Sequence, residues 1–283
     1  MKIHAYVLAG DPAWIGESIG SFYGLVDRIV VSYDADGLSW SGHPLSTAES
    51  LSRIAAADPD GKVVLRPGRF SNPELMAMWA ETAQRQDALD AASEGADWVL
   101  QLDTDEVVAD PGAFLAAIET ADGRAASAVE YPARVLYARA RSGRFLETCG
   151  RFWSTQSSYP GPVAVRAGTT LSHARQAAGV PVYRVDVAPR NTDPARPATT
   201  PVHRVIRRDQ AILHLSWVRT EAQMAEKRTV SGHARDRDWD GELGRWRRRM
   251  RHPFLTAAAA PFARKPFERY RVASLPAFAR LDP

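Results

Sequence analysis

The chain has 283 residues, 45% of them hydrophobic and 24% charged, which suits one large α/β domain or two small ones and excludes a disordered or fibrous chain. A single cysteine, Cys149, excludes an internal disulfide and a cysteine-rich metal site, and reads as a packed small side chain. The net charge of +3 hides an asymmetry: residues 1–122 carry 7 Lys+Arg and 20 Asp+Glu, a balance of −13, whereas 123–283 carry 29 and 13, a balance of +16.

The first apolar run, Ile3 to Ala9, closes at Gly10-Asp11-Pro12 and reads as a strand, not a signal peptide. Trp14, Ile15, Ser18, Ile19, Phe22 and Leu25 recur at helical spacing. Ile29 to Tyr33 is a second strand ending at Asp34, Asp36 and Gly37. Strand, helix and strand with short links form a βαβ unit, hence a parallel sheet whose ligands gather at the carboxyl ends of its strands. A helix near Ala48 to Ala57 and a strand Lys62 to Leu65 follow. Asn72-Pro73-Glu74 predicts a helix start, with Gly95 as its stop.

Asp97 to Val108 (DWVLQLDTDEVV) is then a buried-type strand running into three carboxylates, Asp103, Asp105 and Glu106. Carboxylates are costly to bury unpaired, so these are expected where the strand leaves the core. They could merely solvate a loop, or hold a hard divalent cation with a phosphate ligand.

Pro111 to Thr120 reads as a helix, and Ser127–Tyr131 and Val135–Ala138 as strands. From Arg141 to Ala211 the chain is rich in Arg, Pro, Gly and Ser, with short strands expected at Val163–Arg166, Val182–Val187 and Val202–Arg207. Ala211 to Trp217 (AILHLSW) is a strand carrying His214. Glu221 to His233 reads as a helix, and Leu243, Trp246, Met250 and Phe254 form a second amphipathic stripe. No apolar run approaches the roughly 20 residues that span a bilayer.

The segments VLA with DPAWIGES, IVVSYDADG, ETAQRQDALDAA and WVLQLDTDE, about 110 residues in order, resemble the GT-A glycosyltransferases of the family 2 type. The resemblance implies an α/β fold with an open, mostly parallel sheet flanked by helices and a less regular C-terminal acceptor region. Residues 1–122 would bind a nucleotide-sugar donor, UDP-linked, and 123–283 would shape the acceptor side, within one continuous domain.

It also implies roles. Leu8 and Ala9 would line the nucleotide, Asp34 would read the base, and Asp103 would face the ribose and metal. Asp105 would bind Mn2+ or Mg2+ at the diphosphate. Arg85 falls where an arginine precedes the motif; its alternative is a surface arginine paired with Glu81 or Asp90. His214 matches a late metal or diphosphate ligand, against the alternative of a structural histidine. Lys227 and His233 are weaker diphosphate or acceptor candidates. An inverting transfer needs a base, for which Glu106, Glu130, Glu147 and Asp193 all qualify; Glu106 could instead order the metal loop.

Two look-alikes compete. Asp103-x-Asp105 matches the haloacid-dehalogenase phosphatases, in which Asp103 would be the nucleophile, but there the motif ends the first strand. Asp236-x-Asp238-x-Asp240-Gly241 imitates a calcium loop, but its twelfth position is Arg247, so a helix-capping turn is expected. The third alternative is a non-catalytic nucleotide- or glycan-binding protein. Arg245 to Arg251, beside the second apolar stripe, reads as a solvated helix face or a peripheral contact at an inner membrane face of a cytoplasmic protein. The acceptor would be a glycan, a small molecule or a cell-envelope component; no nucleic-acid motif is present.

Overall fold

In the computed structural model the described residues are 1–140, 143–230 and 238–274. The chain runs β1 (Ile3–Leu8), α1 (Ile15–Phe22), β2 (Arg28–Asp34), α2 (Thr47–Ala56), β3 (Val63–Gly68), α3 (Ala77–Ser93), β4 (Trp98–Gln101), β5 (Glu106–Val107) and α4 (Pro111–Gly123). It continues through β6 (Ala128–Glu130), β7 (Ala133–Arg139), β8 (Phe145–Thr148), β9 (Ala164–Arg166), β10 (Val182–Asp186), β11 (Arg204–Val205) and β12 (Ile212–His214). Last come α5 (Glu221–Val230), α6 (Trp239–Arg251), α7 (Pro253–Ala258) and β13 (Tyr270–Ala273).

The expected fold class is present. The larger sheet has the order β11-β10-β6-β9-β4-β1-β2-β3 and is parallel except at β9, which runs against β4 and β6. Strand alternation distributes the core. Ile3, Ala5, Val7, Trp98 and Leu100 face α1, α2 and α4, while Tyr6 and Val99 face Ala88, Leu89 and Ala92 of α3. Helices therefore cover both faces, as a mostly parallel sheet requires. The β3 edge carries Pro67, where no further strand needs its missing N–H. Strands from both sides of residue 122 share this sheet, so the change of charge at that point is not a break in the fold.

A second sheet, β13-β8-β7-β12-β5, joins the end of the β4 segment to the late strand β12. Its register sets His214 opposite Glu106. Because β1 leads to β2 and β3 on one side while β4 lies on the other, the chain reverses direction across the sheet at β1/β4. A crevice opens beyond the carboxyl ends of strands at such a point.

Several elements differ from expectation. The third helix begins at Ala77, not at Asn72, because the Asn72 side chain accepts the Glu74 N–H (3.1 Å) in a turn and Met76 is extended. β12 stops at His214, where the Leu215 N–H turns to the Asp105 carbonyl (2.8 Å). His252-Pro253 divides the second amphipathic stripe: Leu243 and Trp246 are buried on α6, whereas Phe254 is exposed on α7. β5, β8 and β13 had no expectation at all. Asp238 caps α6 by accepting the Gly241 N–H (3.0 Å), as the capping reading requires. Cys149 is buried and its thiol is pushed up by burial, which suits packing and not nucleophilic attack. No helix among the described residues is long and apolar enough to cross a membrane.

Candidate functional site

An open cleft of about 500 Å3 lies beyond the carboxyl ends of β1, β2 and β4, a size that takes a small molecule. Leu8, Ala9, Asp34, Arg85, Asp103, Asp105, His214 and Lys227 all line it. The sequence candidates thus converge, but their contacts divide them by role.

Asp105 is the meeting point of charges. Its Oδ2 accepts from Arg219 (3.1 Å) and faces Lys227 Nζ (3.6 Å), and its Oδ1 faces His214 Nε2 (3.8 Å). Burial pushes the Asp105 carboxyl up, but the charges of Lys227, His214 and Arg219 outweigh it and hold the group below the usual range. Burial has the opposite sign for Lys227, whose ammonium is held down despite Asp105. Lys227 also donates to Ser216 Oγ (2.8 Å), and Arg219 to Asp11 (2.8 Å).

Asp103 is positioned by arginines on the other wall. Arg85 donates to its Oδ1 (2.7 Å) and to Glu81 (2.9 Å), so Arg85 has the Glu81 partner of its alternative but is buried in the cleft wall and not on the surface. Arg175 lies 3.9 Å from Asp103 Oδ2. Burial raises the Asp103 carboxyl, yet Arg85 and Arg175 hold it well below the usual carboxylate range. The sign for stability follows. A carboxyl with a depressed folded value stabilises fully above its unfolded value, about pH 4, and this contribution is lost as pH falls through the folded value. Acidification below about pH 4 is expected to lower the urea midpoint. Asp103→Asn should flatten that fall; an unchanged slope would remove Asp103 from the linkage.

Glu106 requires correction as a catalytic candidate. It is fully buried and closed off by Arg175, which donates to both its oxygens at 2.6 Å. Glu106 Oε2 also accepts the Asp103 N–H (3.1 Å). Its Oε1 lies 3.6 Å from His214 Nδ1, a buried atom with no hydrogen-bond partner. Glu106 therefore orders the acidic loop and flanks His214 on its Nδ1 side, opposite the Nε2 that faces Asp105. It does not face the cleft and cannot take a proton from an acceptor there. The other base candidates are also buried away from the cleft: Glu130 is held by Arg184 and Arg196, Glu147 by Arg134, Arg208 and Arg271, and Asp193 accepts the Ala195 N–H (2.9 Å) with Arg184 and Arg196 at 3.8 and 3.9 Å.

Asp34 lines the cleft but has no oxygen left for a base. It accepts four backbone N–H groups, from Asp36, Leu38, Phe70 and Ser71, at 2.8–3.2 Å. Its work is to tie two loops into the cleft wall. His233 lies outside the described residues.

The decisive residues with no expectation are Arg175, Arg219 and Asp11. Arg175 sits in a segment without periodicity and reaches the site because Gly161 makes room: a Cβ there would meet Arg175 Cγ at 2.8 Å. Arg219 could have been flagged as the first cation after the His214 strand.

Among the described residues no group of three or more His, Cys, Asp or Glu is arranged to hold a metal ion. The chain does offer an oxygen and a nitrogen, Asp105 Oδ1 and His214 Nε2, facing each other across 3.8 Å. A phosphate-bound divalent cation keeps most of its positions for water and phosphate, so one or two protein ligands fit it.

No family model matches the sequence, and no curated protein does. Among solved structures the chain is similar to 4-diphosphocytidyl-2C-methyl-D-erythritolsynthase from Anaerococcus prevotii DSM 20548 (TM-score 0.35, 15% identity, 59% of this chain and 71% of that one). It is similar to mannose-6-phosphate isomerase from Helicobacter pylori (TM-score 0.35, 14% identity, 59% and 72%). It is also similar to mannose-1-phosphate geranyltransferase from Thermus thermophilus (TM-score 0.29, 17% identity, 60% and 51%). Likenesses of this size assign no family and no chemistry.

Proposed function

We propose that the chain is a GT-A-type, family 2-like glycosyltransferase that moves a sugar from a UDP-linked donor to an acceptor hydroxyl, with Mn2+ or Mg2+ as cofactor. The observation that carries this reading is the convergence of Asp105, His214 and Lys227 in the crevice where the sheet reverses direction, with Arg219 buried behind Asp105.

In the transfer, the acceptor oxygen bonds the sugar's anomeric carbon while the carbon–oxygen bond to phosphate breaks. The nucleoside diphosphate leaves with the electron pair, and the hydroxyl proton passes to a base. Asp105 and His214 would hold the metal, which when bound supplies Lewis-acid neutralisation of the departing diphosphate. Lys227 would exchange part of its interaction with Asp105 for phosphate oxygens, while the buried Arg219 keeps Asp105 and Asp11 in place. Arg85 keeps Asp103 ionised and fixed beside the donor. Ser18 Oγ donates to the Asp103 carbonyl (3.1 Å), tying the loop to α1. The base is a group other than Glu106, Glu130, Glu147 and Asp193, whose carboxylates are buried away from the cleft. The reading carries with it a cytoplasmic setting and a glycan, small-molecule or cell-envelope acceptor.

A thermal-shift series with nucleoside diphosphates, with and without Mn2+, tests the assignment. At a hundredfold excess over Kd, binding to the native state adds about 2.7 kcal/mol. UDP with Mn2+ is expected to raise Tm, and EDTA to reverse most of the rise. Absence of a metal-linked shift with any nucleotide overturns the reading, whereas tight binding without donor hydrolysis points to a non-catalytic binder.

A further inference from the structure

The apolar stripe of α6 faces inward, and only Arg248 and Arg251 of its arginine run are exposed. Leu243 and Trp246 are buried against Tyr137, Leu146 and Tyr270, with Met250 packed beside them. Arg245 and Arg247 are paired with Glu242 and Glu221, and Arg249 donates to the hydroxyls of Tyr137 and Tyr270. The exposed apolar surface lies on the neighbouring elements.

A 3-10 turn at Arg151–Trp153 packs against a second at Ala260–Phe262, and the second packs against α7. Trp153 Nε1 donates to the Ala257 carbonyl of α7 (2.8 Å), and Arg271 donates to the Trp153 carbonyl (3.1 Å). On these joined elements Phe152, Phe254, Leu255 and Phe262 are 69, 60, 69 and 86% exposed. Single exposed apolar residues are ordinary, but four on contiguous elements form a patch that water solvates poorly. Phe152 and Trp153 also have φ of 54° and 58°, the left-handed region that disfavours bulky side chains. Backbone strain held at Phe152, whose ring remains in water, marks a binding element better than a packing one.

The charge around the patch is one-sided. Residues 245–271 contain nine Lys+Arg and one acid, Glu268. Arg248, Arg251, Arg264 and Lys265 are exposed. Aromatic and leucine side chains beside cations match an anionic bilayer, whose acyl boundary takes the rings while its headgroup phosphates meet the arginines.

We propose that the face formed by Phe152, Phe254, Leu255 and Phe262 with its arginine rim docks the protein onto an anionic phospholipid bilayer. Flotation of the full chain with vesicles of phosphatidylcholine alone, or mixed with phosphatidylglycerol, tests it. Binding is expected to the mixed vesicles, to weaken as salt rises, and to be small on phosphatidylcholine alone. Phe254→Ser combined with Leu255→Ser and Phe262→Ser should lower partitioning roughly tenfold or more, and Arg251→Glu with Arg264→Glu should do the same. All five side chains are exposed, so Tm and metal-linked UDP binding should be unchanged, which separates this test from that of the cleft. Equal partitioning of the wild type and the triple variant, or indifference to phosphatidylglycerol, overturns the proposal. So does a dimer that the triple variant converts to monomer, which would assign the face to a second copy, or binding to a soluble polyanion such as heparin without binding to vesicles.

Discussion

Asp105→Asn is expected to remove the Mn2+ dependence of UDP binding, with a loss exceeding the roughly 10–100-fold that outer-shell changes cost a metal site. The substitution keeps shape and removes one charge. Asp105 offers the oxygen that faces His214 Nε2, and a neutral amide is a far poorer ligand for a hard cation. The same change has a second, opposite consequence. Arg219 and Lys227 lose the carboxylate they share at 3.1 and 3.6 Å, so their attraction for a free diphosphate rises. UDP binding in EDTA should therefore be retained or strengthened while the gain from Mn2+ disappears. Calorimetric titration of UDP into both proteins, with Mn2+ and with EDTA, separates the two effects. A variant that still binds UDP more tightly with Mn2+ would remove Asp105 from the metal site.

Glu106→Gln is expected to cost about 3–5 kcal/mol of unfolding free energy, a large part of the roughly 5–15 kcal/mol that a domain has. Glu106 is fully buried, Arg175 is 2% exposed, and their two hydrogen bonds are both 2.6 Å. Removing one partner leaves the other charge in the interior without its counterion, and that desolvation cost is what the variant exposes. Arg175→Met should cost a similar amount, and the double variant less than the sum of the two, because neither buried charge then remains. Urea unfolding of the three variants checks this. A cost below about 1 kcal/mol, the range of exposed ion pairs, would mean that water reaches the pair.

The first half of the fold was legible because its strands are short runs of Val, Ile, Leu and Tyr closed by Gly, Pro or Asp. The stretch from Trp98 to Leu102 alternates between two buried faces. Asp103 and Asp105 could be placed at its end for the same reason: nothing but the edge of the core suits them. What was not legible depends on pairing across long sequence separations. β5 is two residues long and exists only because β12 lies against it, so no local pattern marks it. Glu106 looked like a third loop acid until Arg175 was found on it. Glu130, Glu147 and Asp193 carried no sign of the arginines beside them, since charge in a linear sequence does not say which partner will neutralise it. Asp34 stood where a ligand-reading acid belongs, yet one of its oxygens is taken by the amides of Asp36 and Leu38 and the other by those of Phe70 and Ser71, more than thirty residues later.

The register of β5 and β12 also bears on the order in which the protein becomes competent during synthesis. Asp105 emerges from the ribosome well before His214, and the strand pair that brings them together closes a loop of about a hundred residues, a slow, late kind of contact. A chain interrupted before β12 could have its β1–β4 frame assembled, yet its acidic loop would lack both its imidazole and the Arg219 and Lys227 cations. On the proposed reading, nucleotide binding would belong to the chain only once β12 and α5 are in place, and a truncated product would not sequester nucleotide.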